Sequence, residues 1–323
     1  MKNYVQVIPY QVIEQVSQVG NEVPKGVELI QAPEIWSETK GKGITVAILD
    51  TGCDTDHPDL KDRIVGGRNF TDDDNGNPEI YEDYVGHGTH VAGTIAASKN
   101  NVGVTGVAPE ASLLIVKVLN KEGKGQYDWI INGINFAIEN KVDIISMSLG
   151  GPTDHPELYE AIKTAVNNNI LVVCAAGNEG DGSGSTDEFA YPGCYNEVIS
   201  VGAIDFNRRS SEFSNSNTEI DLVTPGEKIL STYLDGKYAK LSGTSKAAPH
   251  ASGALALIKN LSNNYFGRKL LEPELYAQLI KRTVPLSFSP KLEGNGMLYL
   301  TAPKYLAKIF DQELKSMVLQ KLE

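Results

Sequence analysis

Five near-continuous apolar runs, rich in β-branched residues, constrain the fold of this chain more than any other feature. They are ITVAILD (44–50), SLLIVKVL (112–119), DIISMSLG (143–150), ILVVCAAG (170–177) and VISVGAI (198–204). Because apolar and polar residues do not alternate in them, these runs are typical of strands buried on both faces of a parallel sheet. We therefore expect a parallel sheet at the centre of the fold.

Helical patterns follow or separate these strands. Apolar residues recur at helical spacing at about 88–98, 127–140, 156–168, 244–260 and 273–283. This alternation predicts an α/β fold with a doubly wound, mostly parallel sheet and helices on both faces. Function in such sheets gathers beyond the carboxyl ends of the strands, where Asp50, Ser148 and Asn178 fall.

Composition limits the class of partner and the compartment. The chain has 29 Lys and Arg against 41 Asp and Glu, a net charge of -12, which argues against nucleic acid or an anionic membrane as the main partner. The start, MKNYVQVIPYQVIEQV, does not have the pattern of a signal peptide. Cys53, Cys174 and Cys194 form no recognisable disulfide framework, which is typical of a reducing cytoplasm. We expect a cytoplasmic protein.

Three segments contain the residue types of nucleophilic catalysis. Asp50 closes a buried strand in AILDTG, His87 opens a helix in GHGTHV, and Ser245 opens another in SGTSKA. A hydroxyl becomes a good nucleophile when a base lies within hydrogen-bond reach and a carboxylate orients that base. Each residue alone has an ordinary alternative, as a turn former, a solvated histidine or a helix cap. Their combination in the order Asp, His, Ser favours a catalytic triad.

Together these segments resemble the subtilisin family of serine endopeptidases. The motifs are D-T-G, H-G-T-H-V-A-G-T and G-T-S-x-A-x-P, and the match extends from about residue 35 to 300. The resemblance implies that Ser245 is the nucleophile, that His87 is the general base and then acid, and that Asp50 fixes the imidazole tautomer. It also implies that the Asn178 side chain and the Ser245 N–H bind the tetrahedral oxyanion.

The resemblance further implies a groove that binds protein and peptide substrates as an added strand. Its two edges would be KEGKGQY (121–127) and SLGGP (148–152), with a deep pocket for large apolar side chains and a second apolar pocket beside Tyr127. Packing in the core is the alternative for Tyr127. The expected substrate-binding residues are Gly123, Gly125, Tyr127, Ser148, Leu149, Gly150, Ala175, Ala176, Gly177 and Ala190.

Two cation sites are implied by the same resemblance. The principal site would bind Ca²⁺ through the Asp59 and Asn100 side chains and the carbonyls of Ser98, Val102 and Val104. A weaker site would combine the carbonyls of Gly193, Tyr195 and Val198 with Asp221, and its ion, Na⁺ or Ca²⁺, stays open. For the first site, the alternative is an aspartate beside a polar turn. His90 could pair with His87 on a metal, but the family places a structural histidine there.

The resemblance is strongest to the intracellular subgroup of the family. It divides the chain into an extension at 1–25, a catalytic domain at 26–300 and a tail at 301–323, and the members of the subgroup pair as dimers. Inside the extension, VQVIPYQV resembles the Leu-Ile-Pro-Tyr segment that lies across the cleft and inhibits these enzymes until it is removed. The expected inhibitory residues are Val7, Ile8, Pro9 and Tyr10. A disordered tail is the alternative.

Proline explains how such a segment could resist cleavage. Pro9 lacks an N–H and fixes φ, so that the backbone can pass the nucleophile without presenting a cleavable bond. The sequence departs from the family at Lys246, where most members carry Met. A cation there could favour the oxyanion, crowd the leaving-group side or point to solvent. A catalytically silent binding protein on the same fold is the rival to an active enzyme.

Overall fold

The computed structural model of the protein describes residues 4–309. Its strands are β1 (Tyr4–Val7), β2 (Gln11–Val16), β3 (Thr45–Asp50), β4 (Ile64–Asn69), β5 (Ser112–Lys117), β6 (Lys124–Gln126), β7 (Ile144–Met147), β8 (Leu149–Gly150), β9 (Leu171–Ala175), β10 (Ile199–Ile204), β11 (Leu222–Pro225), β12 (Ile229–Tyr233), β13 (Lys237–Ser242), β14 (Thr283–Val284) and β15 (Met297–Leu298). Its α-helices are α1 (Lys25–Leu29), α2 (His87–Ala96), α3 (Tyr127–Glu139), α4 (Pro156–Asn167), α5 (Thr244–Phe266), α6 (Glu272–Ile280) and α7 (Pro290–Glu293).

A nine-stranded sheet forms the centre of the molecule, in the order β14-β15-β11-β10-β9-β7-β3-β5-β4. Neighbouring strands from β15 to β4 pair in parallel, and only β14 pairs antiparallel, with β15. The five apolar runs of the sequence become β3, β5, β7 with β8, β9 and β10. The predicted doubly wound α/β fold is confirmed.

Helices cover both faces of this sheet, and alternate residues of each strand serve the two faces. In β3, Val46 and Ile48 belong to one core cluster, to which α2 and α5 contribute. Ala47 and Leu49 belong to a second cluster, to which α3 and α4 contribute. All four are at most 1% exposed, so the strand is buried on both sides, as its continuous apolar sequence predicts.

Two small sheets contain the start of the chain. β1 lies between β6 and β8, and β2 pairs with β13 at the edge of a sheet that also contains β12. Val5 is fully buried and Ile8 is 2% exposed. The alternative of a disordered tail therefore does not describe residues 4–16, which form strands against the rest of the protein.

The C-terminal end of the described chain is helical over 302–309. The sequence suggests a dimerisation element in the tail at 301–323. Residues 310–323 of this tail lie outside the described residues. Across residues 4–309, no helix is both long and apolar enough to span a membrane.

Candidate active site

Asp50 ends β3 and His87 begins α2, and their side chains meet at the carboxyl edge of the central sheet. His87 Nδ1 donates a hydrogen bond of 2.7 Å to Asp50 Oδ1, and both side chains are almost fully buried. Burial lowers the pKa of His87, Asp50 opposes this effect, and the Lys246 cation adds to the lowering. Because the carboxylate can only accept, the proton lies on Nδ1, and Nε2 keeps the lone pair that a general base needs.

Ser245 lies in the first turn of α5, behind a glycine that keeps the space before it open. A Cβ on Gly243, whose φ is 150°, would lie 2.9 Å from Asn178 Nδ2 and 3.2 Å from Ser245 Oγ. Ser148 Oγ donates to the Ser245 carbonyl over 3.1 Å. That carbonyl is available because Pro249, four residues on, has no N–H for the regular helical bond.

Asn178 is fixed so that its amide points into the cleft. Its Oδ1 accepts hydrogen bonds from the Thr244 N–H (2.9 Å) and the Thr244 hydroxyl (2.8 Å), which leaves Nδ2 as the free donor end. Nδ2 donates to the carbonyl of Pro9 over 2.5 Å. The donor predicted to bind an oxyanion therefore binds a carbonyl of the protein's own extension.

The hydrogen bond that would join Ser245 Oγ to His87 Nε2 is not formed. Within residues 4–309, neither His87 Nε2 nor Ser245 Oγ has a hydrogen-bond partner, although both atoms are buried. The Tyr10 ring lies against the His87 ring, with centroids 4.9 Å apart. The extension thus covers the two groups that would have to exchange a proton.

A second buried carboxylate, Asp83, organises the start of α2 and was missed by the sequence analysis. One of its oxygens accepts from the Thr51 hydroxyl (2.8 Å) and from the N–H groups of Val85 and Gly86 (2.9 Å each). The other accepts from the N–H (2.9 Å) and hydroxyl (2.7 Å) of Thr89. An acidic residue just before a predicted helix N-terminus was the available signal.

The predicted substrate groove is filled by β1, which adds as an antiparallel strand to both edges. Val5 pairs with Gly125, Val7 pairs with Leu149, and the Val7 N–H donates to the Gly123 carbonyl over 2.8 Å. The predicted edge residues that pair with or bond to this strand are Gly123, Gly125, Leu149 and Gly150. An extended peptide fits this groove by main-chain hydrogen bonding.

Two apolar side chains of the extension occupy the predicted pockets. Val5 packs in one cluster with Tyr127, whose hydroxyl donates to the Thr153 carbonyl over 3.3 Å. Ile8 lies against Gly150 and Ala190, since a Cβ on Gly150 would be 3.4 Å from Ile8 and 3.6 Å from Ala190. Ile8, Gly150 and Ala190 line a cavity of about 240 Å³.

Four other predicted substrate-binding residues contact the protein itself in this structure: Ser148, Ala175, Ala176 and Gly177. The Ala176 N–H donates to the Val201 carbonyl over 3.1 Å, and the Gly177 N–H donates to the Thr244 hydroxyl over 3.2 Å. Ala175 is buried at the end of β9. Neither these three residues nor Ser148 line the cavity beside Ile8. Their predicted substrate contacts stay a prediction.

The side chains of two predicted calcium ligands, Asp59 and Asn100, lie together beside the loop at 98–104. Asp59 is fully buried, and its carboxylate accepts from Asn100 Nδ2 (3.0 Å), the Val104 N–H (2.9 Å) and the Tyr238 hydroxyl (3.1 Å). The Asn100 oxygen accepts from the Val102 N–H over 3.1 Å. A buried carboxylate enclosed by the 98–104 loop fits a hard cation, and exchange of the two ends of the Asn100 amide would turn an oxygen toward it.

In the second predicted cation site, hydrogen bonds engage the carboxylate of Asp221. Asp221 accepts from the Tyr276 hydroxyl (2.5 Å) and the Ser200 N–H (2.7 Å), and burial raises its pKa to about 6. Asp221 and Val198 line a cleft of about 360 Å³, but Gly193 and Tyr195 do not. The Tyr195 carbonyl accepts instead from the Val198 N–H over 3.2 Å. Cation binding by these four residues stays a prediction.

His90 has a structural environment, as the family resemblance implies. Its Nε2 donates to the carbonyls of Ile229 (2.9 Å) and Ala239 (3.2 Å). Burial lowers the pKa of its imidazole well below the usual range. In the part of the chain that the structure describes, no three His, Cys, Asp or Glu side chains cluster so as to hold a metal.

Comparison with known proteins decides the family. The sequence profile of the Subtilase family matches residues 41–305, which is more than half of the chain. The chain belongs to the subtilase family. As a subtilisin-like serine endopeptidase it has the enzyme class predicted from its motifs, and the predicted family is confirmed as well.

Several curated relatives are similar over most or all of this subtilase. An intracellular serine protease of Paenibacillus polymyxa is 71% identical over 313 residues, which cover 97% of the chain and 96% of the relative. The major intracellular serine protease of Bacillus subtilis (strain 168) is 63% identical over 314 residues, which cover 97% of the chain and 98% of that relative. Subtilisin E of Bacillus subtilis (strain 168) is 48% identical over 237 residues, covering 73% of the chain and 61% of that protein.

Proposed function

We propose that this subtilase is an intracellular endopeptidase that cleaves through Asp50, His87 and Ser245 and is held inactive by residues 7–10. One observation carries the proposal: Asn178 Nδ2 donates to the carbonyl of Pro9, while the side chain in the pocket beside Gly150 belongs to Ile8. In a substrate, the residue whose side chain fills this pocket also presents the carbonyl to be attacked. In the extension, these two functions fall on consecutive residues.

The chemistry follows from the same atoms once a substrate replaces the extension. The Ser245 hydroxyl gives its proton to His87 Nε2, and Oγ bonds to the substrate carbonyl carbon. The resulting oxyanion takes hydrogen bonds from Asn178 Nδ2 and the Ser245 N–H. His87 returns the proton to the leaving amine as the C–N bond breaks. A water molecule then hydrolyses the acyl-enzyme by the same route in reverse.

Specificity is proposed from the two pockets. Val5 is fully buried beside Tyr127 and Ile8 is almost so beside Ala190, and both pockets are apolar. Protein and peptide substrates with large apolar side chains at these two positions would gain the most from burial. Main-chain pairing to both edges is independent of side chains, which supports a broad specificity.

Calcium, location and assembly complete the proposal. The Asp59 site would hold Ca²⁺, which would stabilise the loop at 98–104. The names of the relatives from P. polymyxa and B. subtilis support an intracellular location. A homodimer formed with the tail at 301–323, outside the catalytic domain at 26–300, remains a proposal supported by the family resemblance.

The inhibitory extension can be tested by comparing the full chain with a variant that lacks residues 1–20. We expect faster peptide hydrolysis by the truncated protein and stronger labelling of Ser245 by a fluorophosphonate. The Ser245→Ala form of each protein is the matched control and should neither hydrolyse peptides nor be labelled. Equal rates of the full and truncated chains, with the full chain intact by mass spectrometry, would contradict inhibition.

A further inference from the structure

Lys246 is completely buried, and its amine has no hydrogen-bond acceptor in the described part of the chain. It follows the nucleophile in α5 and is 0% exposed, and within residues 4–309 its Nζ makes no hydrogen bond. Nζ lies 5.0 Å from the centre of the Tyr10 ring. A buried amine without an acceptor is unfavourable. Such a group is available to a ligand that brings an acceptor of its own.

Tyr10 marks the place in the cleft that Lys246 faces. Its neighbour Pro9 gives its carbonyl to Asn178, so Tyr10 is the first residue after the carbonyl at the oxyanion position. The Tyr10 ring also lies against His87, the group that must protonate the leaving amine. A substrate whose own carbonyl binds Asn178 would therefore place its next residue where Tyr10 lies.

We propose that Lys246 is a specificity-determining residue that favours peptides with an acidic side chain directly after the cleaved bond. This inference rests on the proposed roles of Ser245 and Asn178. A glutamate or aspartate there supplies the oxygen acceptor that Nζ lacks, in a site from which the peptide itself excludes water. A charge-assisted hydrogen bond of this kind is roughly twice as strong as a neutral one.

The charges around Lys246 support its availability. Asp50 and Asp83 attract the ammonium, but neither forms an ion pair with it. Both Asp83 oxygens and Asp50 Oδ1 accept from other donors, whereas Asp50 Oδ2 has no hydrogen-bond partner among residues 4–309. Burial lowers the pKa of Lys246 to about 7. A substrate carboxylate would stabilise the charged form through a charge-assisted hydrogen bond. A glutamine oxygen would offer only a weaker, neutral acceptor, and an apolar side chain would offer none.

The test uses two peptides that differ only in Glu or Gln directly after the cleaved bond, offered together to the full-length protein. Because both compete for the same active molecules, the ratio of their kcat/KM values does not depend on how much enzyme the extension inhibits. We expect a preference for Glu of about tenfold. In Lys246→Met and Lys246→Gln this ratio should fall to about one or below.

Lys124→Met is the matched control, because Lys124 also lies over a tyrosine of the extension, 5.7 Å from the Tyr4 ring, but at the far end of the groove. It should keep the preference for Glu. A second peptide pair, with Glu or Gln three residues after the cleaved bond, should show no preference in any of these proteins.

A wild-type ratio of one, or a preference for Glu that survives in both Lys246 variants, would overturn the proposal. The wild-type ratio needs no variant, so a misfolded mutant cannot hide the answer. Failure of the catalytic assignment looks different, because hydrolysis would then persist in Ser245→Ala whatever the ratio.

Discussion

Two lysines, Lys117 and Lys246, are equally buried but differ in the hydrogen bonds and ion pairs of their Nζ atoms. Both are 0% exposed. Lys117 Nζ donates to the Thr51 carbonyl over 2.6 Å and forms an ion pair of 3.0 Å with Asp73. Lys246 Nζ has no hydrogen-bond partner among residues 4–309. The hydrogen bond and ion pair of Lys117 stabilise the fold, whereas Lys246 lies beside Ser245 with its donors unused.

The two sides of the active site also differ in whether their buried polar atoms have hydrogen-bond partners. On the side of Asp50 and Asp83, most oxygens already accept hydrogen bonds from the protein. On the side covered by the extension, Ser245 Oγ and His87 Nε2, like Lys246 Nζ, are buried without partners in the described chain. Buried polar groups are rarely left unpaired in native proteins. This second side is therefore the part of the site that a substrate would complete.

The largest effect expected from this contrast is at Ser245. Ser245→Ala removes a group that stabilises nothing in the fold, so hydrolysis should fall by on the order of 10⁶, the size known for loss of the nucleophile of subtilisin. The thermal midpoint should stay unchanged. Peptide hydrolysis by the purified variant within a few-fold of wild type would refute the assignment, and calorimetry of both proteins checks the fold.

The two lysines themselves give the next largest effect, measured as stability in the Ser245→Ala background to prevent self-digestion. Lys117→Met leaves the buried Asp73 carboxylate without its cation and with the Lys121 N–H as a remaining donor, which should cost about 3 kcal/mol of unfolding free energy. Lys246→Met removes an unpaired amine and should cost nothing or stabilise. Urea denaturation of both variants measures the difference. Equal losses of unfolding free energy in the two variants would mean that the hydrogen bond and ion pair of Lys117 do not make it more stabilising than Lys246.

The calcium site offers a smaller effect in a third buried region. If Ca²⁺ binds the folded state alone, a free concentration of about 100 times Kd should add about 2.7 kcal/mol, which chelation would remove. Asp59→Asn should abolish most of the shift in thermal midpoint between calcium and chelator. Asp221→Asn, at the weaker predicted site, is the matched control and should leave most of the shift in place.

The smallest expected effect is on the pH dependence. Burial lowers the pKa of His87, and the Lys246 cation contributes to this. Because the base must be neutral, activity should persist below the ordinary histidine value of about 6.5 and be lost as pH falls through the lowered pKa. In Lys246→Met the acidic limb of kcat/KM should move to higher pH, by up to about one unit. A limb that stays in place would show that Lys246 does not act on His87.

Much of the fold could be predicted because it depends on burial. Continuous apolar runs predicted the central strands, and β3 ends at Asp50 as expected. The sequence analysis missed β4, whose residues Ile64–Asn69 (IVGGRN) mix small, polar and apolar side chains. The family resemblance led us to expect residues 7–10 across the cleft, and in the structure Val5 and Ile8 are buried. Those two side chains are buried in pockets made by distant segments, which no local pattern of residues 1–25 can reveal.

The candidate site could be predicted only as far as motifs extend. Asp50, His87, Asn178 and Ser245 lie together in the structure, whereas the contacts of Asp83 depend on how a loop wraps around the start of α2. Ser148 was predicted to contact substrate, and the structure adds that its hydroxyl donates to the Ser245 carbonyl that Pro249 leaves free. Side-chain direction at a strand end depends on tertiary contacts, so sequence alone did not decide it.

The proposed inhibition depends on an extension that occupies the cleft one residue out of register for cleavage. Mass spectrometry of the purified Pro9→Ala variant tests this register, with Pro9→Ala in the Ser245→Ala background as control. Without the proline, the carbonyl at Asn178 and the side chain beside Gly150 can come from the same residue. We predict that the variant cuts itself within residues 7–10 and that the control stays intact. A Pro9→Ala protein that remains uncut while it hydrolyses added peptides would contradict the account.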